Sequence, residues 1–490
     1  MSTKHFDIAI VGAGLSGIAA AYYLQLKCPS KNYIILEGRD SMGGTWDFFR
    51  YPGIRSDSDM YTLGYSFKPW PKAKSIADGP SILKYIQETA SENGIDKHIH
   101  YSLLVKKASW SSDRAVWTVE TECKKTAKTL LFSCNFLLMC SGYYSYKEGY
   151  TPKFKGMESF KGEIVHPQHW PENLNYRGKK VVVIGSGATA ITLVPEMAKD
   201  AKHVVMLQRS PTYVVSSSES DVLANLLNKF MPKKLAYAIL RWKYIAHQQL
   251  SYRITRTKPE MVKQKLLELV RKELGDDYDV ETHFTPRYNP LDQRLCLVPN
   301  GDLFEAIKSG NASVITDIIE TFTEKGILLK SGKELEADLI VTATGLNLII
   351  LGGVQFSVDN QAIEFPKTYT YKGVMYSDVP NLVSVFGYIN ASWTLRAELV
   401  AEYVCRLINY MDEMGFRQCT PRLRDRDGNM QARSLIKDFS SGYIQRVMHL
   451  FPKQGDCEPW IYPQNYQRDK KMIRHGALED GALIFSNKEI

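Results

Sequence analysis

Two glycine-rich turns with dinucleotide-binding spacing stand about 170 residues apart in the chain. In the first, Gly12, Gly14 and Gly17 follow the apolar run IAIV and precede the helix-forming run IAAAYYL. Gly12 permits a tight turn, Gly14 lets a pyrophosphate approach the backbone, and Gly17 allows helix and strand to pack closely. Ser16 lies in the same turn, where the free N–H groups of a helix N-terminus attract phosphate. This pattern predicts a nucleotide site.

An acidic residue at the end of the next strand strengthens this prediction. Glu37 closes the run YIILE, twenty residues after Gly17. A carboxylate at this position accepts hydrogen bonds from ribose hydroxyls and repels a 2′-phosphate. The position at the N-terminus and the following Gly43-Gly44 pair favour FAD as the ligand.

The second turn, in KKVVVIGSGATAITLV, has a cation where the first has an acid. Gly185, Gly187 and the adjoining Ala188 and Thr189 are the predicted contacts to the phosphates. The next strand, HVVMLQ, ends in Arg209-Ser210, and an arginine can pair with a 2′-phosphate. We therefore predict NADPH at this turn and a hydride route from NADPH to flavin.

Composition and cysteine spacing limit the other function classes. The eight cysteines include no CxxC pair, so zinc, iron–sulfur and redox-disulfide sites have no support. The formal net charge of +9 suits anionic cofactors, but it is spread along the chain and does not mark a nucleic-acid partner. Without a signal-peptide pattern or a long apolar run, we expect a cytoplasmic protein without bound metal.

The elements that must position these turns predict an α/β fold with two Rossmann-like domains. Residues 1–148 and 372–490 are assigned to a discontinuous FAD-binding domain. Residues 149–216 and 288–371 are assigned to the NADPH-binding domain, and 217–287 to a helical insertion in it. Further predicted elements are strands over 115–120, 129–140, 312–316 and 337–344, and a late helix from Ser392, with Asn390 or Ser392 as its cap, to about Met411.

The insertion is rich in Lys and Arg and has apolar residues at helical spacing, including Leu223, Leu226, Leu227 and Phe230. Such a segment can contact a membrane surface or a second copy of the chain. Membrane contact and self-association are therefore two hypotheses that the sequence raises for this segment.

Two longer motifs resemble the type I Baeyer–Villiger monooxygenases. The stretch FKGEIVHPQHWPE matches the pattern FxGxxxHxxxWP(D/E) at Phe160, Gly162, His166, Trp170 and Pro171. The stretch GGTWDFFRYPGIRSD matches GGxWxxxxYPGxxxD, a second motif of the family. The blocks QRSPTY, NPLDQRLCLVPNGDLF and NASWTL extend the resemblance over nearly the whole chain.

This resemblance implies that FAD, NADPH and O2 together oxidise a small ketone or sulfur compound through a flavin peroxide. It assigns flavin contacts to Gly44, Thr45, Trp46, Asp57 and Tyr61. It also assigns catalysis to Arg294, whose charge stabilises the peroxide anion, with Asp57 orienting the guanidinium. Many members have a lysine before this arginine, and that lysine also contacts the cofactor phosphate. Here the residue is Gln293, so Arg209 and Ser210 would make more of the phosphate contact. The strictness of NADPH use therefore stays open.

The FxGxxxHxxxWP residues lie between the predicted domains. His166 in such a linker can anchor the backbone while the domains rotate, or it can act as an acid or base; the resemblance favours the conformational role. Trp170 and Pro171 are expected to stiffen the same linker.

The alternatives are a flavin-dependent oxygenase of sulfur or nitrogen, or an NADPH oxidase, without Baeyer–Villiger activity. A disulfide reductase would need a close cysteine pair, which the sequence lacks. A protein that binds nucleotides only structurally would not need both Asp57 and Arg294.

Overall fold

Two β-sheets, each containing parallel strands, carry the two glycine-rich turns. The computed structural model describes residues 3–72, 74–219, 221–437 and 439–487. Within these residues the first sheet has nine strands. Its strands are Lys4–Val11, Tyr33–Leu36, Ile99–His100, Leu103–Ser111, Val116–Cys123, Thr129–Met139, Gln355–Val358, Gln361–Ala362 and Leu382–Ser384.

The first glycine turn follows the central strand Lys4–Val11, which is parallel to strands on both sides. Its residues 8–11 are buried, because the sheet is covered on both faces. The turn leads into the helix Leu15–Lys27, which packs against the late helix Trp393–Met414. This helix–strand unit matches the predicted nucleotide fold.

The second sheet has five strands in the described residues, and the strand Lys180–Ile184 lies at its centre. The other four are Glu163–Val165, His203–Gln208, Ala312–Thr316 and Leu339–Thr342, all parallel. The second glycine turn leads from the central strand into the helix Ala188–Met197. The predicted α/β fold with two nucleotide-binding units is therefore confirmed.

The insertion consists of helices, as predicted: Val222–Phe230, Lys233–Thr257, Pro259–Leu274 and Val280–Phe284. Its second helix buries Tyr237 and Leu240 in the core of the first sheet. The next helix buries Leu267 and Val270 in the core of the second sheet. The insertion therefore packs against both halves of the molecule, the first half being built on the first sheet and the second half on the second sheet.

Shorter elements complete the fold. The remaining helices are Thr45–Phe48, Met60–Leu63, Gly79–Glu92, Asp302–Lys308, Gly442–Gln445, Tyr466–Asp469, the π-helical Lys470–His475, and short 3₁₀ turns at Ile95–His98, Met157–Ser159, Pro167–His169, Ile350–Gly353, Phe365–Lys367, Asp425–Asp427 and Met448–Leu450. The remaining strands are Tyr144–Gly149, Val214–Ser217, Cys296–Pro299, Ile319–Phe322, Gly326–Leu329, Glu334–Glu336, Leu346–Leu348, Thr370–Tyr371, Met375–Tyr376, Gln418–Pro421, Arg433–Ser434, Lys453–Gln454 and Leu483–Ser486.

Both chain crossings between the two sheets run through one antiparallel pair of strands, Tyr144–Gly149 and Leu346–Leu348. We call this pair the linker ribbon. Gln355–Val358 returns to the first sheet, where it pairs with Leu103–Ser111. The second chain segment of the first sheet therefore starts before residue 372, the boundary that the sequence suggested. Phe356 already packs in the core of that sheet.

The late helix begins after Ser392, although this residue does not cap it through its side chain. The Ser392 hydroxyl lies 2.5 Å from the Thr62 hydroxyl instead. The predicted cap therefore joins the helix start to the neighbouring turn at Met60–Leu63.

The linker ribbon generates a steric prediction at Gly149, where an added Cβ would overlap the His166 ring. We expect Gly149→Ala to lower the free energy of unfolding by about 2 kcal/mol, as overpacking commonly does. In a His166→Ala background the same change should cost at least about 1 kcal/mol less, because the ring is gone. Denaturant unfolding of the four proteins measures this coupling. An equal cost in both backgrounds would contradict the contact.

Candidate active site

A cavity of about 650 Å³ opens where the strands of the first sheet end. This volume lies in the range of ligand sites in proteins. Seven residues predicted to bind the cofactor line it: Gly12, Gly14, Ser16, Glu37, Gly44, Thr45 and Trp46. The first nucleotide unit and the GGxW segment therefore form one site.

The steric reason for a glycine differs among the three positions of the first turn. An added Cβ on Gly12 would lie 2.6 Å from the carbonyl oxygen of Cys140, and φ at Gly12 is +105°. A Cβ on Gly17 would overlap the carbonyl oxygen of Gly12. Gly14 has room for a methyl group, since its nearest neighbour would be the Gly44 Cα at 3.6 Å. Gly12 and Gly17 are thus required by packing, whereas Gly14 leaves space on the cavity side.

Glu37 lies at one end of the cavity and is nearly buried. One carboxylate oxygen accepts from the Ala13 N–H at 2.8 Å, and the other from the Arg39 N–H at 2.9 Å. Burial raises the pKa of Glu37, which these two hydrogen bonds oppose. Each oxygen keeps lone pairs free. The carboxylate can therefore accept hydrogen bonds from a ribose diol.

Arg39 is a cavity residue that the sequence did not single out. It forms an ion pair with Asp47 at 2.6 Å and lies over the rings of Phe48 and Tyr146. Its position two residues after Glu37, in a turn next to phosphate-binding glycines, was the signal available. A cation here can balance a bound pyrophosphate.

Trp393 and Tyr143 also line the cavity. The Trp393 indole N–H donates to the Ser16 hydroxyl at 2.8 Å, and its ring stacks on Tyr143 at 5.2 Å. The start of the late helix is thus fixed against the first glycine turn. The sequence predicted this helix start but not the role of the tryptophan.

Arg294 and Asp57 come together, with 3.8 Å between Nε and the carboxylate. Arg294 also donates from Nη1 to the carbonyl oxygen of Ile389 at 3.0 Å. Burial lowers the pKa of Arg294, but the oxygens of Tyr443, Asp57 and Tyr143 outweigh it and raise that pKa above its ordinary value. The guanidinium is therefore a permanent cation that interacts electrostatically with Tyr143, one of the cavity residues.

Of the predicted flavin contacts, Asp57 does not line this cavity, and neither does Tyr61. Its buried ring lies 5.1 Å from Tyr244 and 6.0 Å from Tyr237, both in the insertion. Burial raises the pKa of Tyr61 to about 12, so it packs as a neutral residue. The structure thus gives Tyr61 a contact with the insertion.

The YPG segment before Asp57 contacts the second nucleotide unit. The Tyr51 hydroxyl hydrogen-bonds Thr189, and burial raises the pKa of Tyr51 to about 12. Gly53, at φ +75°, approaches Thr192 and Glu196 so closely that an added Cβ would lie 3.3 Å and 3.0 Å from them. The same motif therefore contacts the cavity side of one unit and the helix of the other.

At the second turn, Gly185 has φ +138°, and an added Cβ would overlap the carbonyl oxygen of Ala343. Gly187 faces open space, and Ala188 begins the helix. Arg209 and Ser210 are both exposed, and the Ser186 hydroxyl donates to the Ser210 carbonyl at 3.1 Å. The arrangement leaves the Arg209 guanidinium accessible to a ligand.

His166 holds both strands of the linker ribbon. Its Nε2 donates to the carbonyl oxygen of Gly345 at 3.1 Å, while Nδ1 accepts from the Gln168 N–H at 3.1 Å. Burial lowers the pKa of His166, and the Nδ1 contact requires a neutral ring. Both ring nitrogens of His166 are thus engaged by backbone groups of the linker.

The other linker residues lie around the second sheet. Phe160 is buried, and the Gly162 Cα packs against its ring and the carbonyl of Asp338. Trp170 packs partly buried on the core of the second sheet, and Pro171 is exposed. These residues fix the edge strand Glu163–Val165 and the turn after it.

The comparisons with known proteins identify the family of the chain. Residues 5–413 match the family model described as flavin-binding monooxygenase-like, and the chain belongs to that family. Over 487 residues it is 51% identical to the FAD-containing monooxygenase EthA of Mycobacterium tuberculosis, covering 99% of each chain. The family predicted from the sequence motifs is thereby confirmed.

Two solved structures share the fold over the whole chain. A steroid monooxygenase bound to NADP has a TM-score of 0.78 at 21% identity, covering 99% of this chain and 100% of that one. OTEMO in complex with FAD and NADP also has a TM-score of 0.78, at 19% identity with the same coverage. At this level of identity the similarity supports the fold alone.

The two glycines of the first turn give a matched prediction. Gly17→Ala should destabilise the FAD-free protein by about 2 kcal/mol, because the methyl group meets a backbone carbonyl. Gly14→Ala should leave the unfolding of the FAD-free protein nearly unchanged yet weaken FAD binding about tenfold or more, because the methyl group blocks the cavity side. Denaturant unfolding and flavin titration measure the two effects. Equal destabilisation by both changes would contradict this division of roles.

Proposed function

We propose that this protein is an NADPH-dependent FAD monooxygenase that converts ketones to esters or lactones and oxidises the sulfur of thioethers or thioamides. The observation that carries the proposal is the Arg294–Asp57 pair, whose guanidinium interacts electrostatically with Tyr143 in the lining of the flavin-type cavity. Family membership supports the broader class of flavin monooxygenase. The fixed cation favours the Baeyer–Villiger reaction within it.

The residues present fit FAD and NADP as the cofactors. The first glycine turn, the Gly43-Gly44 pair and the Glu37 carboxylate suit the adenosine diphosphate part of FAD, and Trp393 and Tyr143 offer aromatic surface to its ring system. Arg209, at the second turn, suits the 2′-phosphate of NADPH. When bound, FAD takes a hydride from NADPH and activates O2 for transfer of one oxygen atom.

Arg294 supplies what ketone oxidation needs from the protein. An oxygen nucleophile must stay anionic to attack a carbonyl, and the resulting adduct carries negative charge. A cation fixed in advance stabilises both charges without reorganising during the reaction. Asp57 and the Ile389 carbonyl hold the guanidinium on two sides, so its orientation is set before substrate binds.

Arg294→Met keeps much of the side-chain volume and removes the charge. We expect anaerobic flavin reduction by NADPH to proceed, while ester formation from a linear ketone falls about 100- to 1000-fold, the usual loss when such a stabilising group is removed. Stopped-flow absorbance follows the reduction, and product chromatography follows the ester. Arg294→Lys, which retains the charge but not the two-sided contacts, serves as the intermediate variant.

Ester formation at the wild-type rate in Arg294→Met would contradict the proposed role of the charge. If sulfide oxidation and ester formation were both unaffected, the cation would be structural. A wild-type protein that oxidises sulfides but makes no ester would indicate the heteroatom oxygenase. One that releases only hydrogen peroxide would indicate an NADPH oxidase.

Arg209→Ala tests the nicotinamide nucleotide. We expect the KM for NADPH to rise about ten- to a hundredfold, since a charge-assisted contact contributes roughly 1.5–3 kcal/mol, while the KM for NADH stays nearly constant. Lys202→Ala, which removes another exposed cation of the same domain, is the control. Steady-state kinetics with both nucleotides gives the comparison. Equal losses with NADPH and NADH would contradict a 2′-phosphate contact.

A further inference from the structure

The insertion exposes apolar side chains that the proposed reaction does not use. They lie on the hairpin formed by the helices Val222–Phe230 and Lys233–Thr257. The exposed fractions are 82% for Val222, 53% for Leu226, 70% for Phe230, 49% for Leu235 and 71% for Trp242. Together with Lys229, Lys233 and Lys234, which are also exposed, we call these residues the hairpin surface.

The hairpin geometry places these side chains on the outside of the molecule. Val222, Leu226 and Phe230 recur every four residues, so they share one face of the first helix. Leu235 and Trp242 are seven residues apart and share one face of the second. Asp221 joins the two helices, because its carboxylate accepts from the Leu223 N–H at 2.9 Å and from Lys243 Nζ at 2.6 Å.

The opposite face of the second helix is anchored in the protein. Arg241 pairs with Glu398 at 2.5 Å and donates to the carbonyl oxygens of Tyr61 and Gly64 at 2.8 Å and 2.7 Å. Tyr237 and Leu240 are buried beside it. The hairpin surface is therefore held in place by a buried network.

The charge of this segment is one-sided. Residues 222–258 contain eight Lys or Arg and neither Asp nor Glu. Arg241, Lys243 and Arg256 pair with acids outside that stretch. In the part of the chain that the structure describes, Lys229, Lys233 and Lys234 have no acidic partner within 4.0 Å. The exposed apolar residues are thus bordered by uncompensated positive charge.

We propose that the hairpin surface binds an anionic phospholipid surface. Exposed aromatic and aliphatic side chains can enter the headgroup region, while neighbouring lysines contact lipid phosphates. Among the described residues no helix is long and apolar enough to cross a membrane, so this contact is peripheral. A second copy fits less well, because a symmetric contact through this surface would place lysines against lysines.

Vesicle co-sedimentation of the FAD-loaded full chain tests the electrostatic contribution to membrane binding. The protein should bind vesicles of phosphatidylglycerol and phosphatidylcholine, and should bind pure phosphatidylcholine vesicles at least about tenfold more weakly. Changing Lys229, Lys233 and Lys234 to Gln should reduce binding roughly a hundredfold, at about fivefold for each basic residue. The control variant replaces three exposed lysines of the NADPH-binding domain with Gln and should bind as the wild type does. These residues are Lys325, Lys330 and Lys333.

The apolar part has its own variants. Phe230→Ser with Trp242→Ser should weaken binding by roughly tenfold for each aromatic group. The control Ile318→Ser with Met414→Ser changes two other exposed apolar residues and should have no effect. Circular dichroism and flavin content establish that each variant is folded.

Quenching by brominated lipid identifies the surface that meets the bilayer. Tryptophan emission should be quenched on binding, and Trp242→Phe, which keeps an aromatic group, should remove most of that quenching while binding persists. Absence of binding to anionic vesicles overturns the proposal, as does equal loss in the test and control variants. Retained quenching in Trp242→Phe would also overturn the proposal.

Sedimentation velocity tests a second copy of the chain as the occupant. If the protein were a dimer that did not bind vesicles, and Phe230→Ser with Trp242→Ser converted it to a monomer, the surface would be assigned to a second copy instead.

Discussion

The position of the Arg294 guanidinium depends on how the two halves of the molecule are held together. Arg294 lies two residues before the strand Cys296–Pro299, which packs in the core of the second half, yet its partners Asp57 and Ile389 belong to the first half. A rotation between the halves would move the cation relative to these two partners. The contacts between the halves therefore decide where the cation stands, and the geometry that we propose for catalysis depends on them.

Three sets of contacts fix this relation. The linker ribbon carries both chain crossings, and His166 holds it through Gly345 and Gly149. The YPG segment contacts the helix of the second nucleotide unit through Tyr51 and Gly53. The insertion packs into both cores.

Local patterns made much of the fold and the nucleotide sites predictable. The glycines at 12, 14 and 17, the acid at 37 and the buried strands around them all act within one helix–strand unit, so spacing alone identifies them. Contacts between distant segments were not predictable in this way. Trp393 meets Ser16 across more than 370 residues, and Tyr61 packs on insertion tyrosines rather than in the cavity. The pairing of Asp57 with Arg294 came from family resemblance, because no local rule joins residues so far apart.

The most direct test of the account is the fate of molecular oxygen. Purified FAD-loaded protein would receive NADPH, isotopically labelled O2 and an equal mixture of a linear ketone and an aryl methyl sulfide, with products analysed by mass spectrometry. The account predicts an ester that carries one labelled oxygen atom, alongside labelled sulfoxide. Labelled sulfoxide without ester, or hydrogen peroxide without either product, would contradict the claim that the Arg294–Asp57 pair supports oxygen insertion beside a carbonyl.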